Sequence, residues 1–345
     1  MSRRVLAFVG TLLLGMSALP ADAAALPGPL AQLQSELYSY SEQAPGRVAL
    51  AVTDVATGLT TGYNAGEEMP AASTIKIPVM VEVFRQLGAG NFDLNRRLHL
   101  MGSDKDWGSG DLCDAPAGSS YTVSRLLALM IDDSDNTATN MLIRLVGRAK
   151  INATMQDLGL THTRLSDFIR SEGPIRHALR STPADMGHLL VAMAREKLVD
   201  EWSSRQMIAI LAADHINTLL PVPLPPGTTI AHKTGSLHDT LNDVGIVYPN
   251  DAAQPPYVVA VMTTDLSSLG AGRRVIHGVS RMAYNALTRF GSWRAQTGFT
   301  LPTSADTVQP DISAPQAVPA PQASLAPDVR MWTPRQPDSD ASAGS

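Results

Sequence analysis

The chain has 345 residues, of which 44% are hydrophobic, and a formal net charge of −5 at pH 7. That hydrophobic content excludes an intrinsically disordered protein, and the negative charge excludes the general basic surface of a nucleic-acid-binding protein. The single cysteine, Cys113, excludes an internal disulfide, and we expect it to be a small, partly buried residue.

The two ends of the chain differ from its middle. Residues 1–25 combine two arginines, an apolar run over residues 5–19 and an alanine-rich stretch, which is typical of a secretory signal peptide. We therefore expect a periplasmic or secreted protein with no integral membrane segment after removal of the signal. Residues 301–345 hold 8 of the 24 prolines and no apolar periodicity, so we expect a disordered Pro/Ala-rich tail. Residues 26–300 remain as one folded domain, which we expect to be a monomer.

Hydrophobic periodicity predicts strands near both ends of this domain and helices in its middle. The predicted strands cover residues 47–55, 60–64, 228–233, 242–248 and 257–265. The predicted helices cover residues 73–87, 122–131, 137–146, 182–194, 200–213 and 272–290, and a long loop is predicted over residues 160–181. The first and last segments must pair to complete one sheet. The predicted fold class is therefore α/β, an α+β sandwich in which helices flank an antiparallel sheet and a second lobe is all helical.

Ser73 and Lys76 lie three residues apart at the start of a predicted helix, so they share one helical face. A serine hydroxyl is a weak nucleophile at neutral pH, and a partly desolvated lysine beside it can accept its proton. The helix N-terminus adds N–H groups that favour an oxyanion. The alternative is that Ser73 caps the helix and Lys76 is a surface residue.

Ser134, Asp135 and Asn136 lie between two predicted helices. At this place a second hydroxyl can pass a proton to a leaving amine, and an amide side chain can bind a substrate carbonyl. The alternative is that these residues are helix caps, for which their side chains are favoured.

The stretch Lys233-Thr234-Gly235-Ser236 lies on a predicted strand. A strand edge can bind an extended acyl-amide substrate, and a lysine with two hydroxyls suits a carboxylate. Gly235 allows a ligand to approach the backbone closely. The alternative is an ordinary strand end.

The three motifs, in this order, resemble the Ser-x-x-Lys, Ser-Asp-Asn and Lys-Thr-Gly set of class A β-lactamases and penicillin-binding proteins. Segments 72–80, 122–142, 161–165 and 231–236 also resemble class A β-lactamases, so the resemblance covers about residues 30–292. It implies a β-lactamase/transpeptidase-like fold and a serine hydrolase without a cofactor. The implied substrate is a β-lactam or a cell-wall peptide.

The resemblance also implies roles for the acylation residues. Ser73 would be the acylated nucleophile, and Lys76 would accept or organise its proton. Ser134 would pass a proton to the β-lactam nitrogen. The backbone N–H groups of Ser73 and Ser236 would form the oxyanion hole.

The remaining motif residues are implied to bind the substrate. Asn136 would hold its side-chain amide. Lys233, Thr234 and Ser236 would hold its carboxylate. Class A enzymes often add an arginine here, but residues 219–226 contain none. Two arginines at the start of the last predicted helix either reach the site or lie on the surface: Arg273 and Arg274.

The chain departs from the family pattern at the deacylation residue. Class A enzymes carry Glu-x-x-Leu-Asn in the loop after Ser-Asp-Asn, where the glutamate activates the hydrolytic water, and this chain has no such string. Glu172 lies in the corresponding loop, with Ile175 for the leucine and Arg176 for the asparagine. It is either the base or a surface glutamate paired with a nearby arginine, and His177 is a second candidate. Two further glutamates are expected to be solvated: Glu196 and Glu201.

His232, His238 and Asp239 flank the third motif but lack the clustered His-x-His-x-Asp spacing of a zinc site, so we expect no metal. Three functions remain open. The first is a secreted serine β-lactamase with a Ser73 acyl-enzyme and rapid water attack assisted by Glu172. The second is a penicillin-binding protein that deacylates slowly, and the third is a D,D-peptidase or esterase. All three use the same acylation residues, so the sequence separates them only through the loop that contains Glu172.

Overall fold

The computed structural model describes residues 26–171 and 179–300. The helices in these residues are α1 (Gly28–Glu42), α2 (Lys76–Gly88), α3 (Val123–Asp132), α4 (Asn136–Val146), α5 (Arg148–Asp157), α6 (Pro183–Ala194), α7 (Glu201–Ala212) and α8 (Leu269–Thr297). The strands are β1 (Arg47–Asp54), β2 (Thr60–Tyr63), β3 (Met69–Pro70), β4 (Arg97–His99), β5 (Ser120–Thr122), β6 (Arg164–Leu165), β7 (Leu179–Ser181), β8 (Thr229–Leu237), β9 (Thr240–Tyr248) and β10 (Tyr257–Thr264). Within the two described ranges, no helix combines the length and apolar character that a membrane span requires.

The main sheet has five strands in the order β2-β1-β10-β9-β8, each antiparallel to its neighbours. Strand β1 pairs with β10, for example Leu50 opposite Val261, so the first and last segments of the domain meet inside this sheet. Two smaller sheets join β3-β7-β6 and β4-β5. The predicted fold class, with an antiparallel sheet and flanking helices, is confirmed.

The main sheet is buried on both faces because successive side chains of a strand point to opposite faces. In β1, Val48, Leu50 and Val52 share an apolar cluster with α1 and α8. Ala49 belongs to a second cluster, which contains the apolar faces of α2, α3, α4, α6 and α7. One continuous apolar core thus joins the helical lobe to the main sheet. The three sequence motifs lie where the lobe and the sheet meet.

The helix predicted from residue 73 begins at Lys76 instead, and Ser73 lies in the preceding 3-10 turn, Ala72–Ile75. The reason is Pro78. Proline has no N–H group and is tolerated in an α-helix only in the first turn, where that group would lack a partner anyway. This restriction fixes the start of α2 close to Lys76.

Three further predictions were incomplete. Helix α5 was not predicted because its only buried apolar side chains are Ile151 and Met155, too few to show a helical period. The loop predicted over residues 160–181 contains the short strands β6 and β7, which pair with each other, and β7 also pairs with β3. Strands of two or three residues are too short for an alternating pattern to be visible. Strand β8 also continues past the predicted residue 233 and contains the whole third motif.

Candidate active site

Residues of all three motifs line one cleft of about 360 Å³. The motif residues that line it are Ser73, Ser134, Asn136, Thr234, Gly235 and Ser236. The two motif lysines, Lys76 and Lys233, are fully buried. The alternative in which Lys76 is a surface residue is therefore wrong.

Ser73 lies in a strained turn between β3 and α2. The preceding residue, Ala72, has a left-handed backbone with φ of +49°, which costs about 1–3 kcal/mol for a residue other than glycine. Asn242 of β9 holds this turn by donating from Nδ2 to the carbonyl oxygens of Pro70, at 2.8 Å, and Ala71, at 3.1 Å. The turn that contains the candidate nucleophile is thus held against the main sheet through the carbonyl groups of Pro70 and Ala71.

Strand β8 packs against the Ser73 turn at Gly235. A Cβ atom at this position would lie 3.0 Å from both the carbonyl oxygen of Ala71 and the backbone nitrogen of Ser73. A side chain would therefore separate the strand from the turn. The contact brings the backbone of β8 beside the N–H group of Ser73, as a two-donor oxyanion site requires.

The side chain of Lys76 connects the first motif to the second. Its Nζ donates to the backbone oxygen of Ser134 at 2.5 Å, to Ser134 Oγ at 3.0 Å and to Asn136 Oδ1 at 2.8 Å. Burial, reinforced by the charge of Lys233, holds the pKa of Lys76 well below its ordinary value. Three carboxylates act in the opposite direction: Asp135, Asp106 and Asp214. A lysine with a lowered pKa is suited to accept a proton near neutral pH.

The second motif forms the connection between α3 and α4. Ser134 has a left-handed φ of +52°, which turns the chain at the cleft. Asp135 caps α4, since its Oδ1 accepts from the N–H of Ala138 at 2.7 Å and its Oδ2 accepts from that of Leu112 at 2.8 Å. The cap alternative therefore holds for Asp135, whereas Ser134 and Asn136 line the cleft.

Lys233 is paired with a buried carboxylate. Its Nζ lies 3.6 Å from Asp214 Oδ2, and among the described residues this Nζ has no hydrogen-bond acceptor. Burial lowers the pKa of Lys233 and raises that of Asp214, while the charge of each partner opposes the shift of the other. A buried ammonium with donors to spare is suited to bind an anionic group.

His232, which precedes Lys233, forms a second buried pair. Its Nδ1 lies 2.8 Å from Asp243 Oδ1, and the other oxygen of Asp243 accepts from the N–H of Leu220 at 2.9 Å. Burial disfavours the charged imidazole, but the Asp243 carboxylate outweighs this and raises the pKa of His232 above its ordinary value. His232 therefore serves the packing under β8, whereas the exposed His238 lines the cleft.

One group in the described part of the chain has the spacing of a metal site: Asp132, Asp214 and His215. Its members are already engaged, because His215 Nδ1 lies 2.5 Å from Asp132 Oδ1 and Asp214 pairs with Lys233. The group includes neither His232 nor His238, the histidines that flank the third motif.

The structure places the remaining candidates outside the cleft or beyond the described residues. Arg273 and Arg274 are exposed on α8. Glu172 and His177 lie outside the described residues. The residue before Glu172, Ser171, lines the cleft. Glu196 and Glu201, which were expected to be solvated, lie at the surface and pair with Arg205. Cys113, which was expected to be partly buried, is buried.

Asp106 is a residue of the site that the sequence does not reveal. Its carboxylate accepts hydrogen bonds from Asn136 Nδ2 at 2.7 Å and from the N–H of Ser171 at 2.6 Å. The only local sign of this contact is the glycine that follows two residues later. A Cβ atom on Gly108 would lie 2.5 Å from the Cβ of Ser171 and 3.1 Å from Asn136 Nδ2. The small residue is required because three chain segments meet there.

Comparisons with known proteins agree with this geometry. The family described as "Beta-lactamase enzyme family" matches residues 31–287. The β-lactamase from Sphaerobacter thermophilus DSM 20745 is similar, with 32% identity and a TM-score of 0.69 over 75% of this chain and 98% of that one. A mutant of PBP-A, solved as an acyl-enzyme complex with penicillin G, has 31% identity and a TM-score of 0.70 over 76% and 100%. An ancestral class A β-lactamase has 28% identity and a TM-score of 0.67 over 74% and 100%.

Proposed function

Because this chain belongs to the beta-lactamase enzyme family, we propose that it is a serine β-lactamase that hydrolyses the β-lactam amide through an acyl-enzyme on Ser73. One observation carries the proposal. Lys76 is fully buried, and its Nζ lies 3.0 Å from Ser134 Oγ. Lys76 is also the first residue of α2, directly after the turn that contains Ser73. A lysine of lowered pKa that contacts the proposed proton donor, three residues after the proposed nucleophile in the chain, supports its assignment as the base.

Acylation begins at the Ser73 hydroxyl. Its oxygen attacks the β-lactam carbonyl carbon while the neutral Lys76 Nζ takes its proton. The carbonyl oxygen becomes an oxyanion, which the N–H groups of Ser73 and Ser236 stabilise. In other acyl transferases the loss of one such donor costs about 3 kcal/mol. The close packing at Gly235, where a Cβ atom would meet the Ser73 nitrogen at 3.0 Å, supports this assignment.

The C–N bond of the β-lactam then breaks. The leaving nitrogen takes a proton from Ser134 Oγ, and Lys76 Nζ returns the proton that it accepted from Ser73. The 3.0 Å contact between Lys76 Nζ and Ser134 Oγ supports this transfer, because it lies within hydrogen-bond reach. The proton thus moves from the nucleophile to the leaving group without net change in the protein.

Substrate recognition is assigned to the other motif residues. The carboxylate of the β-lactam binds Lys233, Thr234 and Ser236. The buried Nζ of Lys233 supports this, because it has no hydrogen-bond acceptor within residues 26–171 and 179–300. The side-chain amide of the substrate binds Asn136, whose Nδ2 has a second hydrogen besides the one given to Asp106.

Deacylation is assigned to Glu172. Its carboxylate takes a proton from water as the water oxygen attacks the acyl carbonyl carbon. When the bond between Ser73 Oγ and the acyl carbon then breaks, Glu172 gives up this proton and Ser73 Oγ regains one, so the protein returns to its starting state. The support is its sequence position, directly after Ser171, a residue that lines the cleft and is fixed to Asp106. The secretory signal predicted over residues 1–25 agrees with this substrate class, because β-lactams and cell-wall peptides are encountered outside the cytoplasm.

A second function is a penicillin-binding protein, D,D-peptidase or esterase that shares acylation but deacylates slowly. Two observations favour it. No carboxylate lines the cleft within residues 26–171 and 179–300. The sequence identity to the PBP-A mutant, 31%, is close to the identity to the Sphaerobacter β-lactamase, 32%.

Hydrolysis of a chromogenic cephalosporin by the purified protein separates these functions, with Ser73→Ala as the matched control. Continuous turnover that is lost in Ser73→Ala is the expected result. A persistent covalent adduct in the intact mass, without turnover, would favour the second function. A protein that neither turns over nor acquires mass would contradict both.

A further inference from the structure

Asp106 is a buried charged residue next to the cleft that the reaction described above does not use. It is 4% exposed, and its carboxylate accepts four hydrogen bonds. Oδ1 accepts from Asn136 Nδ2 at 2.7 Å and from the N–H of Gly108 at 3.0 Å. Oδ2 accepts from the N–H and the hydroxyl of Ser171 at 2.6 and 3.1 Å. Burial disfavours the charged form, but these donors outweigh it and lower the pKa of Asp106 below its ordinary value, so it is a carboxylate at neutral pH.

The carboxylate determines which way the Asn136 amide points. An ionised carboxylate only accepts hydrogen bonds, so the donating Nδ2 of Asn136 must face Asp106. The accepting Oδ1 then faces Lys76, whose Nζ donates to it at 2.8 Å. In the opposite orientation, the NH₂ group of the amide would face the lysine nitrogen, and Oδ1 would face a carboxylate oxygen. The contact between Oδ1 and the carboxylate oxygen would be repulsive, and so would the contact between the NH₂ group and Lys76 whenever this lysine carries its proton.

Asp106 also ties Asn136 to a different part of the chain. Its two oxygens divide their contacts, one toward Asn136 and the other toward Ser171, and both of these residues line the cleft. The N–H of Asp106 donates to Thr137 Oγ1 at 3.0 Å, which fixes the loop to the first turn of α4. The tight fit around Gly108 leaves no room for a side chain between these segments.

We propose that Asp106 is a positioning residue for the acylation of Ser73, which holds the Asn136 amide in the orientation that binds both Lys76 and the substrate. The inference rests on the proposed function. Asp106 itself touches neither the substrate nor the reacting atoms and acts through Asn136. Its removal frees the amide to rotate, so that Lys76 loses one of its three acceptors and the substrate amide loses a fixed donor.

The test is a double-mutant cycle on the acylation rate, measured by stopped flow with a chromogenic cephalosporin. Asp106→Asn should slow acylation by about 10- to 100-fold, the range for a buried hydrogen bond to a charged group. In the Asn136→Ala background, the same substitution should change the rate by less than about 2-fold, because the residue through which it acts is gone. Equal effects of Asp106→Asn in both backgrounds would overturn the proposal, since a merely structural role gives additive losses.

Two control variants separate positioning from stability. Asp104→Asn removes another buried carboxylate of the same loop, one bound to Arg144 at 2.8 Å rather than to Asn136. It should lower the midpoint of urea unfolding but leave the acylation rate of the folded protein unchanged. Ser171→Ala removes one donor to Asp106 and keeps the backbone donor, so its effect should be smaller than that of Asp106→Asn. An Asp104→Asn effect on acylation as large as that of Asp106→Asn would contradict a specific role for Asp106.

A further measurement needs no variant of Asp106 and applies even where Asp106→Asn does not fold. The side-chain NH₂ of Asn136, assigned by its disappearance in Asn136→Ala, should exchange with solvent more slowly than that of the exposed Asn95. Equally fast exchange would overturn the proposal. The proposed function fails separately, if the unaltered protein forms no acyl-enzyme.

Discussion

The Nζ of Lys76 lies 3.0 Å from the hydroxyl oxygen of Ser134, although the two residues are 58 positions apart in the sequence. The same Nζ donates to the backbone oxygen of Ser134, so one buried lysine fixes both the main chain and the side chain of the second motif. The proposed proton route from the nucleophile to the leaving group depends on this relationship. It requires that Lys76 can exist without its proton.

Lys76→Arg tests that requirement. Arginine keeps the positive charge, but its guanidinium does not lose a proton in the accessible pH range. We expect acylation to fall by about 10²- to 10⁴-fold, the usual contribution of a general base. Stopped-flow absorbance measures the rate, and Lys150→Arg, an exposed lysine on α5, serves as the control with an unchanged rate. An unchanged rate in Lys76→Arg would remove Lys76 as the proton acceptor.

The pH dependence of acylation gives an independent check on Lys76. Its neutral form is the reactive one, so the rate should rise with pH through the pKa of this lysine. Because burial and Lys233 lower that pKa, the rise should occur well below the ordinary range of lysine. A rate that stays flat from acidic to alkaline pH in the unaltered protein would be inconsistent with this role.

Gly235→Ala tests the packing of β8 on the Ser73 turn. The added Cβ would lie 3.0 Å from the nitrogen of Ser73 and from the oxygen of Ala71, so either the strand or the turn must move. We expect acylation to fall by at least about 10-fold, because a displaced donor weakens the oxyanion site. Gly187→Ala in α6 is the matched control, since the nearest atom to its added Cβ is 3.9 Å away. That change should leave acylation intact and stabilise the fold by about 0.5–1 kcal/mol. Equal acylation rates in the two variants would contradict the assignment.

Glu172→Gln tests deacylation separately from acylation. Glutamine cannot accept the proton of the attacking water, so the acyl-enzyme should accumulate while the acylation rate stays unchanged. Intact-mass spectrometry after mixing with a β-lactam measures the trapped fraction. Glu201→Gln, a surface glutamate bound to Arg205, should not trap the adduct. Unchanged release of the acyl group in Glu172→Gln would exclude Glu172 as the base.

The buried pair of His232 and Asp243 predicts a pH dependence of stability. The pKa of His232 is raised in the folded protein, so folding favours its protonated form. The resulting stabilisation is fully present below the ordinary histidine pKa of about 6.5 and is lost as the pH rises through the raised value. Urea unfolding across this range should show decreasing stability for the unaltered protein and a flatter dependence for Asp243→Asn. Identical pH dependences would show that the pair does not ionise as described.

The sequence was sufficient to identify the three motifs as candidates for one site, because each motif is a short string on a predicted element or directly beside one. Ser73, Ser134 and Lys233 could be named as one set from their order alone. Asp106 and Asn242 could not, because their contacts are remote in sequence. Asn242 binds carbonyls 171 and 172 residues earlier, and Asp106 binds donors 30 and 65 residues later. Such pairs depend on how the sheet and the helical lobe meet, which no local pattern specifies.

The most direct test of the central claim is the site of covalent modification. The protein is mixed with penicillin G, quenched in acid at times from milliseconds to minutes, and digested for peptide mass spectrometry. We expect the mass of one intact β-lactam on the peptide that contains Ser73, and no such mass in Ser73→Ala. An adduct on another residue, or β-lactam hydrolysis that persists in Ser73→Ala, would contradict the account.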